Sequence, residues 1–240
     1  MPEPLPTSFD GLNEARRLLR SIRTVTLATL LPGDGFPLAT LTSIATGFDG
    51  SPILLLSQLS HHTRNLDADP RCSLLLAQGG KGDPLAHPRL SLVGRATKVT
   101  EPAARMELRA RFLNRNPKAT LYADFADFSF WRVELVHAFL NGGFGKAADF
   151  TAAMLTNAAV PNLAQAEANI LAKLNGAATA LRALAIAQGG ANVAWRASGI
   201  DADGIDLLAG ENVWRLPFGN RCKTLPEILA LTDEIGTKSA

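Results

Sequence analysis

The 240-residue chain is short of several things, and each shortage closes off a class of function. Two cysteines, Cys72 and Cys222, are too few for a disulfide framework or a four-cysteine zinc site. They read as small apolar side chains in a reducing compartment. The four histidines, His61, His62, His87 and His137, have no metal-ligand spacing, and none follows His137. No Ser-His-Asp order and no Walker loop is present. Charge of neither sign dominates: 24 basic residues face 22 acidic ones, a net charge of +2, which does not suit a dedicated nucleic-acid binder. No apolar run approaches the ~20 residues that span a bilayer. Met1 to Asp10 carries acids and prolines where a signal peptide carries a basic and then an apolar stretch. The expectation is a cytoplasmic protein with no nucleic-acid or membrane partner and no metal site.

What is present is an ordinary globular composition, 47% hydrophobic and 19% charged, which excludes disorder and fibrous repeats. Apolar spacing predicts a helix over Asn13 to Arg23. Strands follow at Val25 to Leu30, Leu38 to Thr46 and Ile53 to Ser57, separated by Gly- and Asp-rich turns. Ser60 caps a short helix that must end at Asp69-Pro70. Further strands are predicted at Cys72 to Gln78, Arg89 to Val99 and Ser129 to Asn141, the last with Trp131, Val133, Leu135, His137 and Phe139 on one side. That alternation reads His137 as a buried, hydrogen-bonded histidine. Between them Glu101 to Asn114 is helical, with Ala103, Met106, Ala110 and Leu113 as its apolar face and its arginines in solvent. Gly142-Gly143-Phe144-Gly145 breaks the last strand and lacks the residues of a phosphate loop. Six short strands of this kind suggest a closed or half-closed antiparallel barrel, which removes exposed strand edges.

Residues 151–162, small and polar with Pro161, read as a linker between an N-terminal domain (1–150) and a C-terminal one (163–240). The second begins with one alanine-rich helix, Leu163 to Gln188, ending at a Gly-Gly stop. Three short strands and a helix over Thr224 to Gly236 complete an α-β-β-β-α unit.

The densest polar cluster is Ser57-Gln58-Leu59-Ser60-His61-His62-Thr63-Arg64-Asn65, at a strand-to-helix junction. Unpaired N–H groups at a helix start attract anions. Imidazoles, a guanidinium and hydroxyls beside them suit a phosphate monoester. Thr40, Thr42 and Ser43 stand on the adjoining strand and can equally be strand formers. His87, in a Pro-flanked loop, reads as a surface histidine.

The segments SQLSHHTRNLDADP (Ser57 to Pro70), DPLAHPRLSLVGRA (Asp83 to Ala96), DFSFWRVELVHAFLNGGFGKA (Asp127 to Ala147) and SGIDADGIDL (Ser198 to Leu207) together carry a resemblance. The chain resembles the pyridoxamine-phosphate-oxidase-like split-barrel proteins, in the branch with a fused C-terminal domain. That branch includes HugZ-type haem-utilisation proteins and plant glutamyl-tRNA-reductase-binding proteins. The resemblance implies an α+β fold: a six-stranded antiparallel split β-barrel with the smaller C-terminal unit. It also implies a homodimer with FMN or haem at the dimer interface. It places the flavin phosphate on His61, His62, Thr63, Arg64 and Asn65 with Ser57, and the ring beside Ser43, Ile44 and Ala45. Arg95 and Arg132, and in a haem protein Lys146, would meet anionic groups. Haem needs an axial donor, and haem-degrading relatives carry C-terminal histidines that this chain lacks. The expectation is therefore an FMN-dependent oxidoreductase of unknown substrate, with haem binding and a non-enzymatic partner-binding module as alternatives.

Overall fold

The computed structural model describes residues 10–143 and 146–237. Its first helix, α1 (Gly11–Ser21), starts where the Asp10 carboxylate accepts the Asn13 N–H at 3.0 Å. Strands β1 (Thr24–Leu30), β2 (Pro37–Thr46) and β3 (Pro52–Ser57) form a meander. Helix α2 (His61–Ala68) leads to β4 (Arg71–Ala77), β5 (Arg89–Lys98), helix α3 (Pro102–Arg115) and β6 (Phe128–Asn141). These strands run in the order β3-β2-β1-β4-β5-β6, and β6 pairs back onto β3, so the six close into the expected antiparallel barrel. An additional strand, β7 (Ala147–Thr151), adds to the far end of β6. The loop holding Phe144 and Gly145 lies outside the described residues.

Alternation along the strands points Leu27, Ile44, Leu54, Leu74, Leu90, Leu92 and Val133 into the barrel. The closure is uneven. β1 holds β2 along seven residue pairs, whereas β2 meets β3 only through Ile44, Ala45 and Thr46. Below that short zip the two strands part, and this parting makes the site described next.

Four local readings change against the structure. Opposite Val93 and Gly94 the β6 register skips Val136, which inserts a bulge. One extra residue reverses which face each later side chain takes. His137 and Phe139 therefore point outward and Ala138 and Leu140 point in, so His137 is half-exposed and bonded to Asp149 at 2.9 Å rather than buried. Gly94 is required there: a β-carbon would lie 2.4 Å from the Glu134 carbonyl oxygen.

The buried face of α3 is Leu108, Arg111, Phe112 and Arg115, while Met106 is exposed. Two arginines assigned to solvent are thus interior. The reason lies in the C-terminal unit, which has α5 (Leu163–Gly176), α6 (Ala178–Ala187), a sheet of β8 (Arg196–Asp201), β9 (Gly204–Ala209) and β10 (Asn212–Pro217), and α7 (Leu225–Thr237). Its acids meet the barrel's arginines. Arg111 pairs with Glu167 and donates to the Ile200 carbonyl at 3.0 Å, and its guanidinium lies 4.4 Å from the Phe48 ring centre. Arg20 pairs with Asp201, and Arg215 bonds both Asp201 (2.5 Å) and Asp206 (2.7 Å). Arg115 donates to the Arg20 carbonyl. Burial and the neighbouring cations bring the Arg115 guanidinium down to about 10, although Asp206 pulls the other way.

The alanine-rich helix is two helices, bent by 84° at Gly176-Ala177. The Asn175 amide bonds the backbone N–H (2.7 Å) and carbonyl (3.2 Å) of Ala197 in β8, and the glycine beside it weakens helix continuation. Residues 151–162, expected to be a linker, instead hold the last residue of β7 and a short helix, α4 (Ala152–Leu155), and they bury Leu155 and Val160. Among the described residues no single helix is long and apolar enough to cross a membrane.

Candidate functional site

The parting of β2 from β3 leaves a crevice of about 330 Å3. Leu41, Thr42 and Ser43 form one wall and Leu55, Leu56 and Ser57 the other. Ser60 and His62 from the start of α2 close one end, and Tyr122 and Phe128, whose ring centres lie 5.0 Å apart, close another. Leu41 is 71% exposed at the mouth, and Leu59, Leu121 and Phe125 are exposed beside lining residues in the chain. Such a run of apolar surface around a concave site marks a place that something covers.

Alongside the hydroxyl-bearing residues of the lining, His62 is the one imidazole among the described residues there. Thr40 Oγ1 donates to the Leu27 carbonyl at 3.2 Å and lies 3.0 Å from His62 Nδ1. With the hydroxyl donating to the carbonyl, it accepts from the ring, the tautomer in which Nδ1 carries the hydrogen. The lone pair then sits on Nε2. Burial, with His61 nearby, lowers the His62 pKa below its ordinary value. The ring is therefore neutral at physiological pH.

The expected cradle residues divide. Ser43, Ser57 and His62 line the crevice. His61 and Arg64 are exposed beside it, 3.2 Å from each other, and Arg64 also donates to the Leu59 carbonyl at 3.1 Å. The remaining hydroxyls and amides turn inward to build the bend. Ser57 Oγ donates to Asp127 (2.5 Å) and accepts the Leu59 N–H (3.1 Å), Thr63 Oγ1 donates to the Ser57 carbonyl (2.7 Å), and buried Asn65 donates to Thr29 Oγ1 (2.9 Å). Ser60 makes no side-chain cap bond to α2. Ile44 and Ala45 are buried in the packed interior and not on the crevice wall. Arg132 is paired with Asp49, and Arg95 stands in register between Arg71 and Glu134 on the outer face. Neither lines the crevice.

Sequence reasoning passed over Tyr122, Phe128, Leu55 and Leu56 as site residues. Tyr122 carried one available signal, being the chain's single tyrosine. A neighbouring cavity of about 480 Å3 shares Ser43 and Tyr122 with the crevice and brings Arg23 and Lys118 to its wall. The buried Arg23 Nε has no hydrogen-bond partner. Among the described residues no group of three or more His, Cys, Asp or Glu side chains is placed to hold a metal ion.

Comparison with known proteins agrees with the barrel fold. Residues 6–155 match the family model described as CREG, beta-barrel. A non-canonical heme oxygenase, HOZ, of the Arabidopsis thaliana chloroplast is 41% identical over 103 residues, a match covering 42% of this chain and 30% of the plant protein. The chain thus spans less than a third of that relative's length. Among solved structures, Atu2129 of Agrobacterium tumefaciens, a protein of unknown function, is 34% identical with a TM-score of 0.83, covering 98% of this chain and 99% of its own. A heme binding protein from Mycobacterium smegmatis is 27% identical with a TM-score of 0.58, covering 97% and 98% respectively.

Proposed function

From the premise that the chain belongs to the CREG beta-barrel family, we propose that it binds haem at the β2–β3 crevice, in place of the flavin expected from the sequence. The observation that carries this reading is the His62 ring on the crevice lining, its Nδ1 3.0 Å from Thr40 Oγ1 and its charge suppressed by burial. A neutral imidazole whose other nitrogen donates a hydrogen bond is the usual form of a histidine that ligates iron. This donor answers the lack of a C-terminal histidine. The names of two relatives, a heme oxygenase and a heme binding protein, support the same cofactor.

In this reading His62 would supply a nitrogen ligand to the iron, and Leu41, Leu55, Tyr122 and Phe128 would supply apolar contact for the macrocycle. His61 and Arg64 at the mouth would supply donors for the propionates, as would Arg23 and Lys118 in the adjoining cavity on release from Glu211, which pairs with both. Haem bound there would contribute its redox and oxygen chemistry, while the chain contributes ligation and exclusion of water. A second copy of the chain completes the enclosure. The outer barrel face exposes Leu41 on β2, Leu75 on β4, Val93 on β5 and Phe139 on β6, with Thr26 and Ser91 between them in register, a mixed apolar stripe suited to a self-complementary contact.

Titration of the purified chain with haemin tests the proposal. A saturable Soret band at one haem per chain is expected, weakened about tenfold or more in His62→Ala. FMN added under the same conditions should pass through a desalting column unbound. No band at stoichiometric haemin, or a His62→Ala titration identical to the parent's, refutes it.

A further inference from the structure

A separate cavity of about 640 Å3 lies between α1 and the end of the C-terminal sheet, remote in the chain from every crevice residue. Its volume is that of an ordinary small-molecule pocket. One wall is apolar: Leu19, Leu155, Trp214, Pro217 and Phe218. The rest carries five arginines, Arg16, Arg17, Arg20, Arg215 and Arg221, with three acids, Asp10, Glu14 and Asp203, and the neutralisation of the guanidinium groups is uneven.

Arg20 and Arg215 are matched behind the wall by Asp201 and Asp206. Arg17 is matched by Glu14 at 2.7 Å. Asp10 is occupied at the start of α1. Arg16 is different: its Nε and Nη2 both donate to the Met154 carbonyl (3.2 and 2.9 Å), and it has no carboxylate partner among the described residues. Arg221 has a loose ion pair with Asp203 at 4.0 Å, with no hydrogen bond between them. The Trp214 indole N–H is buried and has no acceptor, a deficit that buried donors rarely carry unmet.

The geometry points to a second ligand site here, taking a flat organic anion. Its carboxylate, sulfonate or phosphate lies between Arg16 and Arg221, and its ring lies on Trp214 and Phe218. Arg16 and the Trp214 N–H are the donors left without a charged or accepting side chain on this wall, and the Asp203 carboxylate faces Arg221. Guanidinium groups also favour planar anionic partners through paired N–H bonds and stacking. The site does not depend on the haem reading, because it shares no residue with the crevice.

Anilinonaphthalene sulfonate, a flat aromatic anion, is a direct probe with the full chain, and its uncharged parent phenylnaphthylamine is the control. The sulfonate is expected to bind about tenfold tighter than the parent, and the double variant Arg16→Ala/Arg221→Ala to remove that advantage. Quenching of indole emission should vanish in Trp214→Phe while calorimetric binding persists. His62→Ala should leave all of this unchanged. Equal affinity for the two probes, indifference to the arginine double variant, or loss of binding in His62→Ala overturns the assignment.

Discussion

Replacing Asp201 by asparagine removes one negative charge from between two cations with almost no change in shape. The Asp201 side chain is fully buried, with Arg20 on one carboxylate oxygen and Arg215 at 2.5 Å on the other. That second oxygen also accepts the Asp203 N–H at 2.8 Å, which asparagine preserves. What is lost is the compensation of Arg20, whose one carboxylate partner among the described residues is Asp201, and half that of Arg215, which keeps Asp206. Stranding a buried charge in this way costs about 3–5 kcal/mol. For a chain of this size each kcal/mol shifts the melting temperature by roughly 2–4 °C, so Asp201→Asn should melt ~6–20 °C lower. Adding Arg20→Met to Asp201→Asn should recover part of the loss, because the stranded cation goes too; the double-mutant cycle measures the coupling.

The pH dependence has a definite sign. Burial raises the Asp201 carboxyl, but Arg20 and Arg215 outweigh it and hold the folded value below the ordinary one. The stabilisation is therefore complete above the unfolded carboxylate value of ~4 and lost as pH falls towards the folded one. The gap between parent and variant should be constant from neutrality to mildly acidic pH and shrink below that value. Calorimetric or circular-dichroism melts across that range are the assay. A variant within ~2 °C of the parent at neutral pH, or a gap that persists in acid, would show that the network does not bear on stability.

Three further outcomes follow. Thr40→Val removes the acceptor that fixes the His62 tautomer, so haemin affinity should fall about 10- to 100-fold with the fold intact by circular dichroism. Because the His62 pKa is lowered, haemin affinity should be flat above an unperturbed histidine value of ~6.5 and decline only in more acid solution, as the proton competes for Nε2; a decline beginning near neutrality counts against His62 as the ligand. Val93→Lys on the exposed apolar stripe should convert a dimer to a monomer in sedimentation velocity, and a parent chain that sediments as a monomer would refute the self-association proposal.

Much of the barrel was legible because antiparallel strands with one wet face write their pairing into alternation. β1 to β5 start and stop within a residue or two of the places that turn residues and apolar spacing indicate. The bulge at Val136 was not legible, since an inserted valine among valines and leucines leaves the alternation apparently unbroken. Nor was the burial of Arg111 and Arg115. Periodicity assigns an arginine to water unless an acid is nearby in sequence, and the acids here arrive from Glu167 and Asp206 on another unit. The site was half visible. The histidine-rich bend announced itself, but its hydroxyls turned out to hold the bend together. The aromatic wall of Tyr122 and Phe128 comes from a segment whose approach to β2 and β3 depends on how the barrel closes.

The arginine–carboxylate lattice also bears on how the chain can be divided. Cutting between α4 and α5 would leave Arg20, Arg111 and Arg115 as a basic scar on the barrel fragment. The other fragment would keep three carboxylates, Glu167, Asp201 and Asp206, with Arg215 alone to balance them. Each half would expose a strongly charged, formerly dry surface of opposite sign to the other. Truncations made to isolate one activity would thus create adhesive pieces, and a pull-down with either would first retrieve its own missing counterpart.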